Sequence, residues 1–131
     1  MIGLDTNVLL RLFIDDDREQ CGRARSFVEQ AGRGGPCMVN VIVLAEFAWV
    51  LGKSLDKPKV EVIKYLDGVL QSDDLEFERR TAVVSALEAY RNGPAEFADY
   101  LLAQINVELG CASTATFDAK ALKSSQFSLV P

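Results

Sequence analysis

Met1-Ile2-Gly3-Leu4-Asp5-Thr6-Asn7-Val8-Leu9-Leu10 decides how this chain is read. Residues 1–4 are mostly apolar, Asp5, Thr6 and Asn7 interrupt them, and Val8, Leu9, Leu10, Leu12, Phe13 and Ile14 resume. That order predicts a buried strand, a polar corner and a helix. Open α/β sheets bind ligands at the carboxyl ends of their strands, so Asp5 is the first functional candidate. The same residues suit a helix start, because an Asp or Thr oxygen accepts from the free N–H groups of a first turn. Further acids must separate the two roles.

A chain of 131 residues is expected to form one domain with a sizeable core and no need of staples. Its 49% hydrophobic and 25% charged residues indicate an ordinary globular protein rather than a disordered one. No apolar run reaches the roughly 18 residues of a spanning helix, and the N-terminus lacks a signal-peptide pattern, so a cytoplasmic location is expected. Cys21, Cys37 and Cys111 are odd in number and widely spaced, which fits neither a disulfide framework nor a zinc site. They are expected to be reduced, with Cys37 and Cys111 in strands. Histidine is absent, which removes Ser-His-Asp and Cys-His nucleophiles, the His general base and every His metal site. Hydrolytic chemistry must then rest on carboxylates, Lys or Cys.

The net charge of −5 comes from the second half, where residues 66–131 carry five Lys or Arg against ten Asp or Glu; residues 1–65 balance at nine each. The chain as a whole lacks the basic face of a generic nucleic-acid binder. Arg11, Arg18, Arg23, Arg25 and Arg33 form a local basic series, which reads as a solvated helix face paired with Asp15, Asp16, Asp17, Glu19 and Glu29.

Helical spacing covers residues 18–31 through Cys21, Ala24, Phe27, Val28 and Ala31, and Gly32, Gly34, Gly35 and Pro36 end it. Residues 37–40 read as a second strand, with Asn40 able to cap the next helix. In residues 41–51 Glu46 is the one exception to an otherwise apolar run. A helix apolar on all sides is expected to be buried, and an ionised carboxylate inside it needs a cation, a proton or a cleft. A helix over residues 58–71, an edge strand over 75–79 and helices over 81–91 and 95–108 come next. Glu96 and Asp99 share a face near the start of the last of these, and helix-start preference accounts for Glu96 better than for Asp99. A strand over 111–117, Asp118, a short helix over 119–124 and a strand over 127–130 complete the chain. Asp118 repeats the placement of Asp5 at a strand-to-helix corner.

Strands alternating with helices predict a three-layer α/β/α fold on a mostly parallel sheet of about five strands. Asp5 and Asp118 would end strands on one rim, while Glu46 and Asp99 lie in early turns of helices that can begin there. Four acids without His repel one another, and hard oxygen ligands select Mg²⁺ or Mn²⁺. Such a site suits phosphate substrates, because the cation bridges an acidic pocket to anionic oxygens.

Ile2-Gly3-Leu4-Asp5-Thr6-Asn7-Val8-Leu9-Leu10-Arg11, Val43-Leu44-Ala45-Glu46, Phe97-Ala98-Asp99-Tyr100-Leu101 and Thr116-Phe117-Asp118 together resemble a PIN domain. More narrowly, they are similar to the VapC-type ribonuclease toxins of bacterial toxin–antitoxin pairs. The resemblance implies that Asp5, Glu46, Asp99 and Asp118 are the metal and catalytic acids and that Asn7 and Thr116 shape their hydrogen bonding. It also implies an endoribonuclease dependent on Mg²⁺ or Mn²⁺, a homodimer and a small antitoxin partner. Glu96 stands where relatives often carry Asp; all four acids are present, so an active copy is expected. Three other readings compete. A haloacid-dehalogenase-type phosphatase would need an acid in place of Asn7. A receiver domain would need adjacent acids and a better-placed Lys than Lys120 or Lys123. A catalytically inactive PIN-like RNA- or protein-binding module would differ only in activity.

Overall fold

Asp5 closes the opening extended run and starts the first helix. The computed structural model describes every residue, 1–131, and divides into two compact units, Met1–Glu78 and Arg79–Pro131. In the first unit the opening run is joined to the rest by the Leu4 N–H to the Met38 carbonyl at 2.9 Å and by the Met38 N–H to the Ile2 carbonyl at 2.7 Å. These bonds make a single parallel bridge between Gly3 and Met38 rather than a full strand. Leu4 is buried but Met1 and Ile2 are exposed, which corrects the expectation of a buried first strand.

Helix α1 (Thr6–Phe13) and helix α2 (Arg18–Ala31) follow, the second capped by Asp17, whose Oδ1 accepts from the Gln20 N–H at 3.1 Å. The buried stripe of α2 is Cys21, Ala24 and Val28. Phe27 lies one residue off that stripe and is 45% exposed, against its expected place in the core. Strand β1 (Cys37–Val39) pairs in parallel with β2 (Leu75–Phe77), and the inward Leu75 and Phe77 flank the exposed Glu76. This alternation is the edge pattern expected of residues 75–79, shortened to three residues.

Helix α3 (Val41–Trp49) starts at Asn40, whose Oδ1 accepts from the Val43 N–H at 3.0 Å, and continues through a π-helical segment, Val50–Ser54. Val43, Leu44, Phe47 and Ala48 are buried, and Phe47 meets Phe13 of α1 edge-on at 6.4 Å. Helix α4 (Lys59–Leu70) adds Val62, Leu66 and Val69 to the core. α3 is not buried on all sides, however. Ile42 and Trp49, 66% and 59% exposed, flank the exposed Glu46 at helical spacing. The apolar composition thus conceals one outward face.

In the second unit, α5 (Arg80–Asn92) packs along α6 (Phe97–Glu108), with Tyr90 and Phe97 edge-on at 6.2 Å. Arg79 enters α5 with a positive φ of 52° and ion-pairs with Glu108 at 2.8 Å. The corner between the helices is set by Tyr100, whose hydroxyl accepts from the Ala95 N–H at 3.1 Å. A Cβ on Gly93 would lie 2.1 Å from that hydroxyl, so the corner admits only glycine without displacing Tyr100. Strand β3 (Thr114–Thr116) pairs in parallel with β4 (Phe127–Leu129), and a 3-10 turn, Ala121–Lys123, stands where a short helix was expected. Ala103, Ala121 and Phe127 form a small core beside this ladder.

The chain is therefore a mixed α/β protein whose strand pairs are parallel, as expected, but its four named strands have three residues each and form a two-stranded ladder in each unit instead of one sheet of about five strands. All three cysteines are free; Cys37 is buried in β1, whereas Cys111 is exposed and precedes β3 instead of lying in a strand. No helix is long and apolar enough to cross a membrane.

Candidate active site

Each of the three candidate aspartates commits one oxygen to backbone, and each does so at a place dictated by local sequence. Asp5 is the N-cap of α1: its Oδ1 accepts from the Val8 N–H at 3.0 Å. Capping thus runs through Asp5 and not through Thr6, which is already the first helical residue. Asp99 belongs to a capping box with Glu96, and its Oδ2 accepts from the Glu96 N–H at 3.0 Å. Local structure therefore accounts for one oxygen of Asp99 too, which residue spacing did not suggest. Asp118 sits in a tight turn, where its Oδ1 accepts from the Lys120 N–H at 2.9 Å and its own N–H donates to Thr116 Oγ1 at 3.0 Å. Thr116 accordingly holds the backbone of Asp118 and closes this turn.

The fourth acid differs. Glu46 is exposed on the outer face of α3 and needs no buried partner, which overturns the argument that placed it in an apolar interior. The helix has an open face, and the carboxylate occupies it.

None of Asp5, Glu46, Asp99 and Asp118 is held in an ion pair, whereas Arg11, Lys57, Arg79 and Arg91 are paired with other acids. Solvent-reachable carboxylates with uncommitted oxygens are the donor chemistry that hard divalent cations take. Asp5 and Glu46 belong to the first unit, Asp99 and Asp118 to the second, and neither unit by itself gathers three or more acids or cysteines into a metal-holding group.

Asp5 opens into a groove of about 470 Å³ between α1 and α2, walled also by Asn7, Arg11, Gln20, Arg23 and Phe27. Arg11 is fixed there, donating from Nε to Gln20 Oε1 at 2.8 Å and pairing through Nη1 with Asp16. Arg23 is exposed and without an ion pair. Sequence reasoning had not ranked Arg23 within the basic series and had counted Phe27 as core; the signal available was their four-residue separation, which places them on one helix face.

No curated protein and no solved structure matches the chain. A family model described as PIN domain matches residues 2–124, spanning the opening Asp5, Glu46, the capping box of α6 and Asp118. PIN domains are generally metal-dependent nucleases acting on RNA or DNA. With that match over nearly its whole length and a parallel α/β fold, the chain belongs to the PIN domain family.

Proposed function

We propose that this chain is a single-domain endoribonuclease dependent on Mg²⁺ or Mn²⁺, acting as the VapC-type toxin of a type II toxin–antitoxin pair. Asp5, Glu46, Asp99 and Asp118 are its metal and catalytic acids, with Asn7, Thr116 and Glu96 in support. The observation that carries the reading is that all four acids are free of ion pairs in a chain without histidine. Carboxylates left without cations are poised for an external one.

When bound, a divalent cation supplies charge neutralisation at the phosphate and a water of lowered pKa. The residues do the rest. Asp5, Asp99 and Asp118 enter with their side chains already oriented by the Val8, Glu96 and Lys120 amides, so little rotamer freedom is lost on ligation. Thr116 fixes the turn that presents Asp118. An acidic protein can in this way act on a polyanion, with a cytoplasmic RNA as substrate, a small antitoxin as inhibitor and a second copy as homodimer partner.

The test is cleavage of single-stranded and structured RNA by purified protein. Activity with Mg²⁺ or Mn²⁺, its loss with EDTA and its loss in Asp99→Asn are expected. Cleavage that persists in Asp99→Asn rules out the assigned site. Expression without an antitoxin is expected to arrest growth; harmless expression of active enzyme would remove the toxin role, and absence of any cleavage would favour a binding module.

A further inference from the structure

The groove beside Asp5 contains more than the acid requires. Arg23 and Phe27 stand one helical turn apart on α2 and both border it, the guanidinium unpaired and the ring 45% exposed. A half-exposed phenyl ring costs free energy in water unless something covers it, and an unpaired guanidinium beside it selects a flat, anionic occupant. Arg11 also borders the groove, but Asp16 and Gln20 already occupy it. Asp5 is the groove's acid; Glu19, one helical turn before Arg23, borders a more open surface that Arg23 and Phe27 also line, and Glu29 borders a separate surface with Arg33. Arg25 borders none of these surfaces.

We infer that this groove is a nucleotide subsite for single-stranded RNA, in which Arg23 binds a backbone phosphate and Phe27 stacks on an unpaired base. The inference rests on the ribonuclease reading and adds the strand state of the substrate and the residues that seat it. Stacking on an aromatic face with a cation on the adjacent phosphate is how single strands are held without sequence readout. Paired bases present no free face, so a duplex gains nothing from Phe27. The subsite lies within one unit and next to Asp5, so the seated nucleotide flanks the phosphate to be cut.

The test is fluorescence anisotropy of a short dye-labelled oligoribonucleotide, single-stranded and as a duplex, measured in EDTA so that cleavage does not intervene. Arg23→Ala is expected to weaken binding about tenfold and to lower the salt slope by about one. Phe27→Ala is expected to weaken binding of the single strand alone by about tenfold, with Phe27→Trp restoring it. Arg25→Ala serves as the control, with affinity close to wild type. Both Arg23 and Phe27 are exposed, and circular dichroism melts check that each variant is folded. Wild-type affinity in folded Arg23→Ala or Phe27→Ala overturns the subsite, even if the same variants release a protein partner, which would assign the groove to a protein. If those variants bind normally while Asp99→Asn abolishes cleavage, the subsite fails and the ribonuclease reading stands. Groove-dependent binding by a wild-type protein that cuts no RNA leaves the subsite standing and removes the ribonuclease reading.

Discussion

Replacing Asp5 separates its structural role from its chemical one, because Asn and Ala remove different things. The cap is one exposed hydrogen bond, from the Val8 N–H to Asp5 Oδ1 at 3.0 Å. Asn keeps an oxygen in that place and caps about as well as Asp, whereas Ala loses the acceptor at a cost of about 1 kcal/mol. For a chain of 131 residues the unfolding entropy is about 275 cal/mol/K, so Asp5→Ala should melt about 4 °C lower and Asp5→Asn within about 2 °C of wild type. Cation binding adds a separate effect, about 2.7 kcal/mol at a hundred times the Kd, or about 10 °C. Calorimetric melts in EDTA and in saturating Mg²⁺ or Mn²⁺ should therefore show the wild type rising with metal and Asp5→Asn rising much less. Removing one of several like charges leaves the metal-free Asn variant no less stable than wild type. RNA cleavage should fall about a hundredfold or more in both variants. The reasoning is refuted if Asp5→Asn cleaves like wild type, or if in EDTA it loses as much stability as Asp5→Ala.

Three further outcomes are expected. Glu46→Gln should abolish cleavage yet melt within about 0.5 kcal/mol of wild type, since the side chain is exposed; a large stability loss would show that the carboxylate supports the fold. Native protein treated with a thiol-specific dye should label Cys111 first, with Cys37 protected because burial removes access and pushes its thiol pKa up; labelling of Cys37 at the rate of Cys111 would contradict the β1 packing. Burial and then the charge of Glu96 push the Tyr90 phenol up, so the folded state holds that proton more tightly than the unfolded chain. Its contribution is therefore complete below about pH 10 and is lost as pH rises through the folded value, a decline in melting temperature that Tyr90→Phe should lessen.

Helices were the most legible part of the sequence. Arg18–Ala31 matches its expected bounds, because an acidic cap precedes it and glycines follow it. Strands were legible in order but not in length: three-residue ladders leave too short a trace for alternation to fix their ends. The α3 error has one cause. Ile42 and Trp49 are apolar but face outward with Glu46, and composition records residue type without recording direction. Phe27 misled for the same reason, one residue off a stripe that Ala24 and Val28 define. Asp5 and Asp118 fall at the expected corners, each between an extended run and a helical turn, whereas Asp99 lies in the first turn of a helix that follows another helix. Their dual use was not foreseen for Asp99, since a capping box fits the sequence Glu96-Phe97-Ala98-Asp99 only once the Glu96 amide is known to point back at the carboxylate.

That dual use has a genetic consequence. Asp and Asn codons differ by a single transition at the first base, and Asn retains the acceptor that Val8, Glu96 and Lys120 amides require at Asp5, Asp99 and Asp118. One nucleotide change at any of the three positions should therefore yield a chain that folds, keeps its surface and has lost the charge needed for a divalent cation. On the proposed toxin reading, such a step would silence the gene without producing a misfolded protein, and the silenced product would keep the surface of the active one.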